Sequence, residues 1–148
     1  MSNVLKVNID GACQPNPGQG GIGAYFVIND KAESYSLPLD GIVTNNIAEY
    51  EALIFSLEKI ISRNDGVEEV IVFSDSQLVC MQFNGKWKCK DDKLSLLLKK
   101  AKELKKKIDC EFQLTYIPRE KNEIADELAK NAISYKIQYF LQEKKKKK

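Results

Sequence analysis

Residues 69–74, Glu-Val-Ile-Val-Phe-Ser, are a short apolar run of the kind a buried parallel strand requires. A parallel strand needs crossover connections, and the segments on either side read as helices that supply them. Upstream, residues 47–62 form a helix with Thr44 or Asn45 as its N-cap. Downstream, Asp75-Ser76 caps a short helix reaching Phe83. Residues 92–107 then carry Leu94, Leu97, Leu98, Ala101 and Leu104, with Ile108 just beyond, as one stripe on a lysine-rich helix.

The ends of the chain complete the pattern. Residues 4–10 alternate strictly, with Leu5, Val7 and Ile9 on one side and Lys6, Asn8 and Asp10 on the other. Residues 11–23 hold two prolines and five glycines and read as an irregular loop. Residues 24–28 and 32–39 read as two further strands about a turn at Asn29-Asp30, an antiparallel meander. Residues 111–117 are a last strand, ended by Pro118, and Asn122 opens a final helix reaching about Tyr139. The order β-β-β-α-β-α-α-β-α predicts an α/β mixed sheet with helices on its faces. Residues 1–140 are expected to be one domain, and 141–148, with lysines at 144–148, a disordered tail.

Composition removes several kinds of chemistry. There is no histidine, so a Ser-His-Asp triad, an HExxH site and a histidine general base are excluded. No run of 18 apolar residues and no signal-like N-terminus are present, so a cytoplasmic protein with reduced thiols at Cys13, Cys80, Cys89 and Cys110 is expected. Residues 1–75 carry 4 Lys/Arg and 11 Asp/Glu, whereas residues 76–148 carry 19 and 10. A basic half beside an acidic half can present cations to phosphates next to a metal pocket, although such lysines also simply keep a protein soluble.

Four acids stand where chemistry is possible. Asp10 ends the first strand, and Asp75 joins an apolar strand to a helix. Glu49 and Asp126 lie at the borders of the apolar faces of two helices, near their starts. Each has an ordinary alternative as a turn residue, an N-cap or a first-turn acid. In a crossover fold the carboxyl ends of strands and the following helix starts share one sheet edge, where the four can meet. Such a cluster repels itself, and a hard divalent cation relieves it.

The acids lie in strings that resemble type 1 ribonuclease H. These are Asn8-Ile9-Asp10-Gly11-Ala12 with Asn16-Pro17-Gly18, Thr44-Asn45-Asn46-Ile47-Ala48-Glu49-Tyr50, Ser74-Asp75-Ser76-Gln77-Leu78-Val79, and Ile117-Pro118-Arg119-Glu120-Lys121-Asn122 leading to Ala125-Asp126-Glu127-Leu128-Ala129. The resemblance covers about residues 4–135. It implies a ribonuclease H-like five-stranded mixed sheet in the order 3-2-1-4-5 with helices on both faces. It also implies an endonuclease that cuts the RNA strand of RNA–DNA hybrids, leaving 5′-phosphate and 3′-hydroxyl ends, and that removes primers and R-loops. The implied cofactor is a pair of Mg2+ ions, for which Mn2+ can substitute. Asp10 then bridges both ions, Glu49 and Asp75 lean toward the leaving-group ion, and Asp126 toward the ion holding the nucleophile. The expected partner is the hybrid, with a monomer that needs no protein partner and no membrane.

Substrate residues follow from the same resemblance. Cys13, Asn16, Asn45 and Gln77 resemble the minor-groove contacts that sense the RNA 2′-hydroxyl. Thr44 and Asn46 resemble the DNA-phosphate pocket. Asn45 and Asn46 also suit helix capping, and Cys13 also suits a small loop position. The chain departs from the family twice. Residues 84–91 are too short for the basic helix-and-loop protrusion of many members, which makes this a short form. There Trp87, with Lys86, Lys88 and Lys90, either grips the DNA strand or is a satellite core residue. The second departure is the missing histidine before the last helix, where Arg119 stands as a residue orienting phosphate or helping products leave, or as a plain surface arginine. Integrases, transposases and resolvases share the fold, but the TNN-AE string favours ribonuclease H. A catalytically dead hybrid-binding module is disfavoured by the full set of acids.

Overall fold

Leu5, Val7 and Ile9, which the alternation assigns to one side, form the spine of the core. The computed structural model describes residues 3–63 and 65–133. Its strands are β1 (Val4–Gln14), β2 (Gly18–Ile28), β3 (Lys31–Val43), β4 (Glu69–Ser74) and β5 (Glu111–Tyr116). Its helices are α1 (Asn45–Ile61), α2 (Gln77–Phe83) and α3 (Asp92–Lys105), and residues 123–133 are also helical and are called α4. The expected end of this helix near Tyr139 and the expected tail at 141–148 lie outside the described residues.

One five-stranded sheet runs in the order β3-β2-β1-β4-β5, as the resemblance implies. β1 pairs antiparallel with β2 and parallel with β4, and β4 pairs parallel with β5. The apolar run at 69–74 is therefore an interior strand, with Val70 and Val72 fully buried. Tyr50, Leu53 and Leu57 of α1 pack with Val7, Phe26 and Val72 in one core cluster. The stripe of α3 joins that cluster through Leu94 and Ala101, with Leu97, Leu98, Leu104 and Ile108 packed on its margin. The opposite face of the sheet receives α4 over Gly23 of β2. Residues 84–91 connect α2 to α3 directly, with no inserted helix between them. Among the described residues no helix is long and apolar enough to cross a membrane.

One reading needs correction. Residues 11–23 are not an irregular loop. β1 continues to Gln14 and β2 begins at Gly18, paired through Asp10↔Gly23 and Cys13↔Gly20. Gly11, Gly21 and Gly23 are there because helices lie directly on the strands. A Cβ on Gly11 would sit 2.2 Å from the Ala48 carbonyl carbon and oxygen, and one on Gly23 would sit 2.3 Å from the Ala125 oxygen. The third strand is also longer than the span 32–39. It is an edge strand, where Pro38 and a mostly exposed surface are tolerated and the alternation signal is weak.

Candidate active site

The cluster is assembled by strand and helix ends. α1 starts at Asn45, where the Thr44 hydroxyl accepts the Ile47 N–H at 3.2 Å. This N-cap, together with the close approach over Gly11, brings Glu49 onto β1 just past its last parallel pair with β4, Ile9↔Ser74. There its carboxylate accepts the Gly11 N–H. At the end of β4 the helix cap is Ser76 alone, whose hydroxyl accepts the Val79 N–H at 3.2 Å. Asp75 is thereby free of capping. One ligand oxygen each from Asp10, Glu49 and Asp75 lies within 4.8 Å of the others, and Asp10 and Glu49 are buried.

Asp126 reaches the same place from the other face. Asn122, 1% exposed, donates to the Ile9 carbonyl at 2.8 Å and accepts from the Asn8 amide at 3.0 Å. The Asp126 N–H closes the first turn on the Asn122 carbonyl at 3.1 Å. The start of α4 is thus pinned to the backbone beside Asp10, and the Asp126 carboxylate is within hydrogen-bonding reach of the Asp10 carboxyl.

The electrostatics distinguish the four. Burial raises Asp10 far above the ordinary carboxyl value, and the neighbouring Glu49 and Asp75 charges raise it further. Burial also raises Glu49, against hydrogen bonds from Asp10, the Gly11 N–H and Ser76 that favour its ionised form. Burial pushes Asp126 upward too, but hydrogen bonds with Lys130 and Asp10 and the Lys130 and Arg119 charges together hold this carboxyl below its ordinary value. Lys130 Nζ lies 3.0 Å from Asp126, and Arg119, 74% exposed, lies 3.9 Å away. Among the described residues no salt bridge reaches Asp10, Glu49 or Asp75. Two carboxylates at such separations repel by about 3–4 kcal/mol at an effective dielectric of about 20. Repulsion of that size is a large share of a domain's stability of about 5–15 kcal/mol. The trio therefore either holds protons or holds a cation. An all-oxygen, open-sided set of acids suits a hard divalent ion such as magnesium.

The acids line a cleft of about 450 Å³ that also takes in Cys13, Asn45, Asn46, Ser76, Arg119 and Lys130. Cys13 Sγ donates to the Asn45 side-chain oxygen at 3.2 Å and lies 3.5 Å from that of Asn16, which accepts the Asn45 N–H at 3.2 Å. These three predicted substrate residues form one hydrogen-bonded group, of which Cys13 and Asn45 line the cleft. Thr44 is engaged as the helix cap, and Asn46 is exposed beside it. Gln77 is exposed on the first turn of α2, outside the cleft lining. Trp87 is 43% exposed and lies outside the core cluster, so the satellite-core reading does not hold. Sequence reasoning missed Lys130 and the hydroxyl of Ser76. The four-residue spacing of Lys130 from Asp126 on one helix was the available signal.

The chain is similar to known proteins in sequence and in fold. A family described as "Reverse transcriptase-like" matches residues 8–132. The "Putative hydrolase EbsB" of Enterococcus faecalis is 30% identical over 130 residues, covering 88% of this chain and 94% of that protein. The "Ribonuclease HI" of Halobacterium salinarum is 37% identical over 125 residues, 84% of this chain but 61% of that protein's length. Among solved structures, LC11-RNase H1 in complex with an RNA/DNA hybrid is similar with a TM-score of 0.81 at 34% identity. The match covers 90% of this chain and 99% of that one.

Proposed function

The chain belongs to the type 1 ribonuclease H family, and from that premise we propose that it is an endonuclease hydrolysing the RNA strand of RNA–DNA hybrids with two divalent cations. The observation that carries the proposal is the convergence of Asp10, Glu49 and Asp75 within 4.8 Å, with Asp126 in reach, on the floor of an open cleft. In this reading Asp10, Glu49, Asp75 and Asp126 hold Mg2+, and Mn2+ substitutes. When bound, such ions supply Lewis acidity for activating water and for neutralising charge on the departing 3′-oxygen.

The chain's own groups prepare the rest. Asp126 stays ionised through Lys130, Asp10 and Arg119 together and so is ready for a cation without first losing a proton. The Gly11 N–H and Ser76 hold Glu49 in place, so the acids need little rearrangement when the substrate arrives. Arg119 extends over the cleft from an exposed position, where it orients the substrate phosphate or helps products leave. Cys13, Asn16 and Asn45 together read the 2′-hydroxyl, Gln77 extends that contact, and Thr44 and Asn46 hold a DNA phosphate. Trp87 and the lysines at 86, 88 and 90 grip the DNA strand by packing and phosphate pairing. Products carry 5′-phosphate and 3′-hydroxyl ends. The reading extends to a monomer acting in the cytoplasm on primers and R-loops.

The test is a substrate panel. End-labelled RNA–DNA hybrid, double-stranded RNA and double-stranded DNA are incubated with the protein and magnesium, manganese or chelator. Metal-dependent cutting confined to the RNA of the hybrid is expected. Binding of the hybrid without cutting in either metal contradicts the proposal.

A further inference from the structure

The loop at 84–91 carries Trp87 and its lysines, and it is tied down at both ends. Its first half hangs from the C-terminus of α2. The N–H groups of Lys86 and Trp87 both bond to the Met81 carbonyl, at 2.8 and 3.1 Å, and Gly85 makes the turn with φ of 76°. Its second half is held by side chains. The Ser95 hydroxyl donates to the Cys89 carbonyl at 3.1 Å, and Asp91 caps α3 through the Leu94 N–H at 2.9 Å. Between these ties, the Gln82 amide nitrogen points at the Lys88 carbonyl at 3.5 Å.

Gln82 is 6% exposed, and Val79, Cys80 and Phe83 on the same short helix are all buried. Tyr50 explains an amide there. Its side chain is fully buried, and its hydroxyl donates to the Gln82 amide oxygen at 2.5 Å. A buried phenol needs an acceptor, and the amide oxygen supplies one. That fixes which end of the amide faces Tyr50 and turns the NH2 group toward Lys88. Tyr50 directly follows Glu49. One covalent step and two hydrogen bonds therefore run from the carboxylate cluster to the loop.

We propose that Gln82 is a positioning residue for the nucleic-acid substrate: through Tyr50 and Lys88 it sets where Trp87 and its lysines stand relative to the carboxylate cluster. This rests on the reading of the protein as a hybrid-cleaving enzyme. Gln82 itself touches no substrate. Its loss lets the basic loop drift, so hybrid binds less well, whereas the carboxylates keep the supports from Gly11, Ser76 and Asn122.

Trp87 is the sole tryptophan, so intrinsic fluorescence reports this loop directly. The test compares wild type, Tyr50→Phe, and the double variant Tyr50→Phe/Gln82→Met. The double variant removes both partners of the buried bond, so neither is left orphaned. Tyr50→Phe removes the same hydroxyl and keeps the amide beside Lys88. The double variant is expected to lower the Trp87 anisotropy and to raise KM for hybrid about tenfold, with kcat within about twofold of wild type. Tyr50→Phe frees the orientation of the amide but keeps it beside Lys88, so it is expected between wild type and the double variant in both readouts. Unchanged Trp87 fluorescence in a folded double variant overturns the inference. So does a changed signal with unchanged KM, or equal behaviour of the two variants. A wild type that cuts no hybrid removes the proposed function itself and this inference with it.

Discussion

At Asp10 two demands conflict: burial beside Glu49 and Asp75 favours the neutral acid, whereas holding a cation requires the carboxylate. The sign of the resulting pH dependence follows. Asp10 and Glu49 have folded-state values above their ordinary values of 3.8 and 4.5. Above those ordinary values the unfolded chain has released protons that the folded protein still holds, so stability falls as pH rises toward the folded-state values. The metal-free protein is therefore expected to melt at progressively lower temperature from about pH 5 to about pH 8. Magnesium should reverse this, with stabilisation that grows with pH as proton competition fades. Asp10→Asn removes part of the penalty, and in chelator near pH 8 it should melt a few degrees above wild type. Thermal scans across pH, with and without magnesium, check both. A metal-free melting temperature that rises through this range would contradict the electrostatic picture. At this scale Glu49, Asp75 and Asp126 were legible because they sit near strand or helix ends, and Asp10 because it closes the alternating run 4–10, although β1 itself runs on to Gln14; Lys130 was not singled out, since one lysine among many carries no mark of its partner.

The elements meet at the site because glycine backbones let helices touch strands. Gly11→Ala places a methyl against the Ala48 carbonyl, and Gly23→Ala places one against the Ala125 oxygen. Neither contact ends on a flexible side chain. Each substitution is expected to cost about 3 kcal/mol in urea unfolding, and to lower cleavage by moving Glu49 or Asp126 away from Asp10. Gly66→Ala is the comparison. It has open space around it and a φ of 68°, so the cost is the backbone penalty alone, about 1 kcal/mol. Equal losses at all three positions would remove the close-approach explanation. The same glycines show where sequence reading fails. A glycine needed for helix contact and a glycine needed for a turn are the same letter, so residues 11–23 looked like a loop although most of them are paired strand. The strand at 69–74 and the stripe of α3 were legible because burial writes a periodic apolar pattern into the chain.

Across the whole molecule, charge separates into an acid-lined cleft and a basic loop followed by lysine-rich α3. Trp87 sits exposed on a surface shared with Lys88, Lys90, Lys99, Lys102 and Lys106. Hybrid affinity should fall steeply with salt. Lys86→Gln and Lys90→Gln should each reduce the slope of log affinity against log salt by roughly one. Titrations in chelator, where no cutting occurs, measure that slope, and an unchanged slope would take these lysines off the DNA strand. The sheet order was legible only through the family resemblance, because strand periodicity does not say which strands pair. The central claim is that the acid cluster holds the cations that drive cleavage. Its most direct measurement follows one labelled RNA–DNA hybrid with wild type and with Asp75→Asn, scoring both binding and cutting at saturating magnesium. Wild type should cut the RNA strand, and Asp75→Asn should bind the hybrid comparably while its cleavage falls by about three orders of magnitude or more. Full cleavage by Asp75→Asn, or cleavage by wild type that persists in chelator, would contradict the account.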